Sequence, residues 1–198
     1  MRLSLNARRS LAATAFLAFA SACGSDATAP KPAFTVQEAT ALAIGMFVEV
    51  SNAMAQSGFG AGLAPSSARF SSIPFTTSDT FNSACKNGGS IAGTATFTGD
   101  IDVQGLGTAS GTVTSTPQGC RIDTGKRIIA VGGKMTYTFN MKFSQSAALD
   151  SFDWRGAGNF TLDGVNCAVD YTLKLSGVGI ENGTLTGTVC GVDISQTL

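Results

Sequence analysis

The sequence predicts a mainly β (α+β) fold: an antiparallel curved sheet or partly closed barrel of seven or eight strands, with one N-terminal amphipathic helix packed on it. Residues 80–198 alternate polar and apolar side chains with a period of two, which sends successive side chains to opposite faces of a sheet. Short glycine-containing turns cut that block, and its connections are too brief for the crossovers that parallel strands need. A single stretch before it, residues 35–57, carries a helical pattern instead.

The alternation holds residue by residue. Ile91, Ala95, Phe97, Ile101 and Val103 oppose Thr94, Thr96, Thr98, Asp100 and Asp102. Met135, Tyr137, Phe139, Met141 and Phe143 alternate with Lys134, Thr136, Thr138, Asn140 and Lys142. Phe152, Trp154, Phe160 and Leu162 share one face of a third run, and Val165, Cys167, Val169, Tyr171, Leu173 and Leu175 one face of a fourth. Each strand therefore has one wet face, as antiparallel sheets do. Turns are expected at Asn87-Gly88-Gly89, Gly105-Leu106-Gly107, Gly132-Gly133, Asp163-Gly164 and Asn182-Gly183, which makes the block a meander.

Thr35-Val36-Gln37-Glu38 has the spacing of a capping box, and Ser57-Gly58 stops the helix. Its polar residues Glu38, Gly45, Glu49, Asn52 and Gln56 fall on a narrow stripe, so the helix must be covered on more than one side. Packing on the dry face of the sheet satisfies that need. A position in the membrane interface is disfavoured by the two acids, because interfacial helices favour Lys and Arg. Spanning is disfavoured as well: Glu38 and Glu49 bound only about ten apolar residues where about twenty are required. Residues 58–79, rich in Ser, Gly, Ala and Pro with scattered aromatics, read as a long surface loop; helix and β block form one domain.

The chain has 198 residues, 13 basic and 13 acidic, with no histidine. Residues 1–22 have the form of an export signal: Arg8-Arg9, an apolar run from Leu11 to Ala20, then small residues. Removing them takes away Arg2, Arg8 and Arg9, leaving ten basic against the 13 acidic residues. No basic run remains that could follow a phosphate backbone, so no nucleic-acid partner is expected. Ala20-Ser21-Ala22-Cys23-Gly24-Ser25-Asp26 resembles the lipobox of bacterial lipoproteins. That resemblance implies acylation of Cys23, a membrane partner through the lipid, and a place in the cell envelope facing periplasm or exterior; Ala20-Ser21-Ala22 also satisfies ordinary signal-peptidase cleavage, which would give a secreted soluble protein. Residues 23–34 are too poor in large apolar groups to fold and read as a tether.

Five cysteines leave one over after pairing, and Cys23 is the one outside the folded block. The expected disulfides are Cys85 with Cys120 and Cys167 with Cys190. A tight turn between Val178 and Gly179 sets Cys167 opposite Cys190, whereas a turn at Asn182-Gly183 sets Cys190 opposite Leu175. Cys85 and Cys120 flank Ile91 from opposite sides at about 9.6 Å, beyond disulfide reach, so one of them must leave the sheet; Pro117-Gln118-Gly119 offers the place.

The chemistry available is limited. Without histidine there is no Ser-His-Asp or Cys-His constellation and no usual zinc site. Asp100, Asp102, Asp150, Asp153 and Asp163 lack both a calcium-loop spacing and a glycosidase signature, so no catalytic residue, metal or cofactor is assigned and no enzyme is expected. The segment around Trp154, the only tryptophan, sets Asp153 and Arg155 beside an aromatic face, which is equipment for a saccharide or planar polar ligand; the shared parity with Phe152 and Phe160 directs Trp154 to the core instead. Two readings follow. One is a non-enzymatic binding module, in its sharper form a carrier of apolar ligands, since a curved sheet crossed by a helix resembles the half-barrels that ferry lipids and lipoproteins across the bacterial envelope. The other is a structural or surface-interaction lipoprotein with no small ligand.

Overall fold

The structure is a computed structural model that describes residues 34–58, 73–102, 104–144, 148–177 and 182–198. Helix α1 spans Val36–Gln56, and nine strands follow: β1 Ile73–Ala84, β2 Ser90–Ile101, β3 Gly107–Gln118, β4 Cys120–Asp123, β5 Ile128–Ser144, β6 Ala148–Leu162, β7 Val165–Ser176, β8 Asn182–Val189 and β9 Val192–Thr197. They form one antiparallel sheet in the order β1-β2-β3-β5-β6-β7-β8-β9, with β4 beside β5. The meander is as expected. The sheet is open, with β1 and β9 at its edges, and has nine strands rather than seven or eight because the four-residue β4 is set off from β3 by a kink at Gly119.

β1 begins at Ile73, inside the stretch read as loop. Its alternation is broken on the inward face by Thr77 and Asp79, which lie opposite Phe97 and Ala95 and are exposed. An inward charge on an edge strand discourages pairing with another chain, and it also hides the strand from a hydrophobic pattern search. Gly132-Gly133 and Asn182-Gly183 are not hairpin turns. The first pair lies within β5, where that strand changes partner: Val131 pairs with Cys120 but Met135 pairs with Ser115, so four residues of one side face three of the other, and Gly133 takes φ 99° at this bulge. The hairpin turn falls instead at residues 124–127, closed by Thr124 N–H to Arg127 O at 3.0 Å. Asn182 and Gly183 open β8 and pair with Ser176 and Leu175.

Rows running across the strands alternate large and small side chains. One row reads Ala95, Val113, Tyr137, Gly156, Tyr171, Gly187 and Ile194 in consecutive register. Gly156 makes room for both rings: a methyl there would meet Tyr137 and Tyr171 carbons at 3.0 Å. The neighbouring row carries Phe97, Gly111, Phe139, Trp154, Leu173 and Leu185. Rings laid over glycines give the sheet a smooth inner surface that curls round α1, and the helix touches both edge strands as well as β2, β4 and β8.

The stripe of polar helix residues meets solvent only at its C-terminal end, at Asn52 and Gln56. Leu42, Met46 and Val50 are fully buried, and Glu38 and Glu49 are buried with them. Gly45 lets β4 approach, since a methyl there would lie 2.5 Å from Ile122 Cγ2. Glu38 closes the capping box, accepting from Thr35 N–H at 3.0 Å while Thr35 Oγ1 accepts from Glu38 N–H at 3.3 Å, and its other oxygen accepts from Arg127 Nε at 3.0 Å. Both Glu49 oxygens accept from Lys86 N–H, at 3.2 and 3.3 Å. Two charges on α1 thus fasten it to the rim of the sheet.

Both disulfides form as expected, by routes slightly different from those inferred. Cys190 lies in the β8–β9 turn with φ 55°, and the β7–β8 register is one residue off the turn assumed; its N–H bonds to Ala168 O at 2.9 Å, which brings it to Cys167 with Cα atoms 4.7 Å apart. Cys85 sits in the β1–β2 turn and Cys120 opens β4, with Cα atoms 5.6 Å apart. That turn folds past the end of β2, where Gly88 O accepts from Arg121 N–H at 2.9 Å. Each bridge contributes about 2–4 kcal/mol, largely by restricting the unfolded chain.

The Thr35 backbone and hydroxyl donors, helped by Arg127 and opposed by partial burial, hold the Glu38 carboxyl below its ordinary value of 4.5. A depressed folded-state value means stabilisation that is complete above the unfolded value and lost as pH falls through the folded one. Glu38→Gln should therefore melt below the wild type at pH 7, and the two melting curves should converge as pH is lowered beneath 4.5. A gap that persists in acid would mean that Glu38 acts through packing alone.

Candidate functional site

The sheet separates the residues singled out in the sequence. Trp154 is buried on the concave side, at the centre of an aromatic cluster: Tyr137 at 4.9 Å between ring centroids, Phe47 of α1 at 5.2 Å, Phe152 at 5.9 Å and Phe139 at 6.0 Å. Asp153 and Arg155, its chain neighbours, point to the opposite face, so the three do not form one binding surface. Cys23 lies outside the described residues.

The concave side is filled by its own side chains. Tyr137, Trp154, Tyr171 and Phe160 are among the largest fully buried residues, together with Leu42 and Met46 of α1. Four polar tips are enclosed with them: Tyr137 Oη, Tyr171 Oη, Trp154 Nε1 and Ser115 Oγ have no hydrogen-bond partner among the described residues. They come in two pairs that act on each other electrostatically without reaching hydrogen-bond geometry. Burial pushes the Tyr137 phenol well above its usual value, slightly countered by the Ser115 hydroxyl. Burial raises Tyr171 too, reinforced by Tyr137 and countered by the Trp154 N–H.

The acids are used locally. Asp102 Oδ1 accepts from Gln104 and Leu106 N–H at 2.9 and 2.8 Å, closing the β2–β3 turn. Asp163 accepts from Ala130 N–H at 3.0 Å, and Asp150 stands 3.6 Å from Lys142. Asp153 lies opposite Asn140 and Lys174, and Asp100 opposite Pro74 and Thr108. The Glu49 carboxylate lies within 4.8 Å of the Cys85 and Cys120 sulfurs. Joined as a disulfide, those sulfurs offer no thiolate to a metal, and Glu49 is engaged by Lys86 N–H.

The outer face carries a groove of about 440 Å³ over β6, β7 and β8, lined by Arg155, Asp170, Thr172, Thr186, Thr188 and the backbone at Tyr171 and Gly187. Its centre is a two-pronged ion pair, Arg155 Nε to Asp170 Oδ1 at 3.0 Å and Nη2 to Oδ2 at 2.8 Å, fixed geometry that a lysine could not reproduce. The hydrogen bond from Arg155 lowers the Asp170 carboxyl below its ordinary value. Arg155 faces Thr172 and Thr172 faces Thr186 in one cross-strand row, while Asp170 faces Thr188 in the next, so the three threonines bracket the pair. Of these residues the sequence pointed only to Arg155. Asp170 and the threonines share its outward parity, but joining them across three strands requires the β7–β8 register, which depended on where the 177–181 connection turns.

No family model, curated protein or solved structure matches this chain. No helix among the described residues is long and apolar enough to cross a membrane. The two disulfides belong to an oxidising compartment rather than the cytoplasm.

The chain has two tyrosines, Tyr137 and Tyr171, and both are held neutral by burial. Folded protein should therefore show no phenolate absorbance as pH passes about 10, the ordinary tyrosine value. Because raised values stabilise below the unfolded value and the benefit fades above it, phenolate should appear together with alkaline unfolding. Ionisation of either ring in protein that retains its native circular dichroism would show the interior to be wet.

Proposed function

We propose that the chain is an exported, lipid-anchored envelope protein acting as a non-enzymatic binding module, and that it takes a polar, saccharide-type ligand on the outer face of its sheet. The groove along Arg155 and Asp170 carries this reading. It combines a two-pronged charged pair, three threonine hydroxyls and the backbone at Gly187, all suited to the many donors and acceptors of a sugar chain. The pair is satisfied by its own members, which suits holding a ligand better than attacking one. An apolar ligand is supported less well, because α1 and the Trp154 cluster occupy the concave side and would have to move out to admit it.

Cys23 supplies the anchor. The two disulfides use Cys85, Cys120, Cys167 and Cys190, which leaves Cys23 as the one cysteine without a partner, in its lipobox-like setting. Cys23→Ala should move the protein from the membrane to the soluble fraction, and mass spectrometry of the wild-type N-terminal peptide should find acyl chains. A bare peptide would remove the anchor.

For the groove, the combined Arg155→Ala and Asp170→Ala variant avoids leaving one charge alone, and its affinity for a saccharide selected from an envelope glycan array should fall about tenfold or more, roughly 1.4 kcal/mol. Trp154→Phe, altered on the opposite face, should keep its affinity. Unchanged binding in the double variant, or no saccharide binding by the wild type, would overturn this reading.

A further inference from the structure

The acids of α1 count against contact with a bilayer only if they face water, and both are buried against the rim of the sheet. What the N-terminal end of α1 exposes is uncharged: Val36, with Thr35 and Gln37 on either side. Val36 and Ile128 are the two most exposed large apolar side chains among the described residues, at 55% and 57%. They come from elements held together: Arg127, next to Ile128, bonds Glu38 and lies 4.8 Å over the half-buried Phe34 ring, and Lys126 Nζ is 3.4 Å from Thr35 Oγ1. Asp123, which pairs with Ile128, is exposed and accepts from Gly125 N–H at 2.8 Å, so the patch carries one acid beside its two bases. Exposed apolar side chains beside Lys126, with Arg127 balanced by Glu38, are what a lipid surface takes up.

We infer that this patch, Phe34, Val36 and Ile128 with Lys126 and Arg127, docks on the lipid surface to which the chain is anchored. Residues 23–34 enter the fold at the patch itself, and twelve residues extend to at most roughly 40 Å. A lipid on Cys23 keeps the patch within that distance of the headgroups, where an attachment too weak to act alone is effective. Docking at this end fixes how the domain stands on the membrane. The inference rests on the proposed anchor at Cys23, so its test supplies the tether chemically.

Mature chain can be coupled through the Cys23 thiol to maleimide-bearing lipid in vesicles of phosphatidylcholine and phosphatidylglycerol, and its amide hydrogen exchange compared with chain capped by a soluble maleimide. Exchange should slow several-fold at residues 34–40 and 124–129 and nowhere else. The Val36→Glu/Ile128→Glu variant should lose the effect at an unchanged Tm, and Val36→Ser/Ile128→Ser should do the same if the glutamates disturb the helix end. Unprotected amides in these segments, or protection confined to another surface, would overturn docking. An unmodified Cys23 in the native protein would instead overturn the anchor, and exchange on the coupled vesicles would still decide whether the patch binds lipid.

Discussion

A sheet with one apolar face must have that face covered, and among the described residues a helix of 21 residues lies on it. The sheet curls towards that helix, which touches both of its edge strands. Gly111 and Gly156 at inward positions lie opposite Phe139 and Tyr137, and those rings, with Tyr171 at Gly156, occupy the space the glycines leave. Leu42, Met46 and Val50 then meet a concave wall, and each such buried side chain contributes about 1.5–3 kcal/mol. The helix is seated by polar contacts at the rim, Glu38 with Arg127 and Glu49 with Lys86 N–H, and the Cys85–Cys120 bridge lies beside the second of these.

Much of this was written in the side-chain alternation. Ile91, Tyr137, Trp154 and Tyr171 each declared the dry face of their strand, and the capping box at Thr35 and Glu38 placed the start of α1. Two kinds of signal were ambiguous for physical reasons. Glycine pairs serve turns and bulges alike, so Gly132-Gly133 and Asn182-Gly183 could not be resolved without the pairing partners. Charged residues on a helix usually mark its wet side, yet Glu38 and Glu49 were turned inward by partners 89 and 37 residues away, Arg127 and Lys86. β1 was hidden because an edge strand protects itself with residues such as Asp79 that spoil the pattern.

The candidate site was legible only in part. Parity correctly set Trp154 apart from Asp153 and Arg155, since neighbours along a strand face opposite ways. The partners of Arg155 come from β7 and β8, joined by register across two strand interfaces that no local feature of the segment around Trp154 reveals. The fold thereby divides its work. Aromatic mass lies inside with α1, while the Arg155–Asp170 pair and the threonines beside it lie outside.

Under the proposed function the concave side is core rather than cargo space, a claim the single tryptophan can report. Titrating the protein with a brominated fatty acid while following Trp154 emission tests it most directly. A sealed core predicts the emission of a buried indole, unaltered at saturating ligand. Quenching that saturates at one ligand per chain would place the Trp154 ring on a lipid-binding cavity and contradict the account.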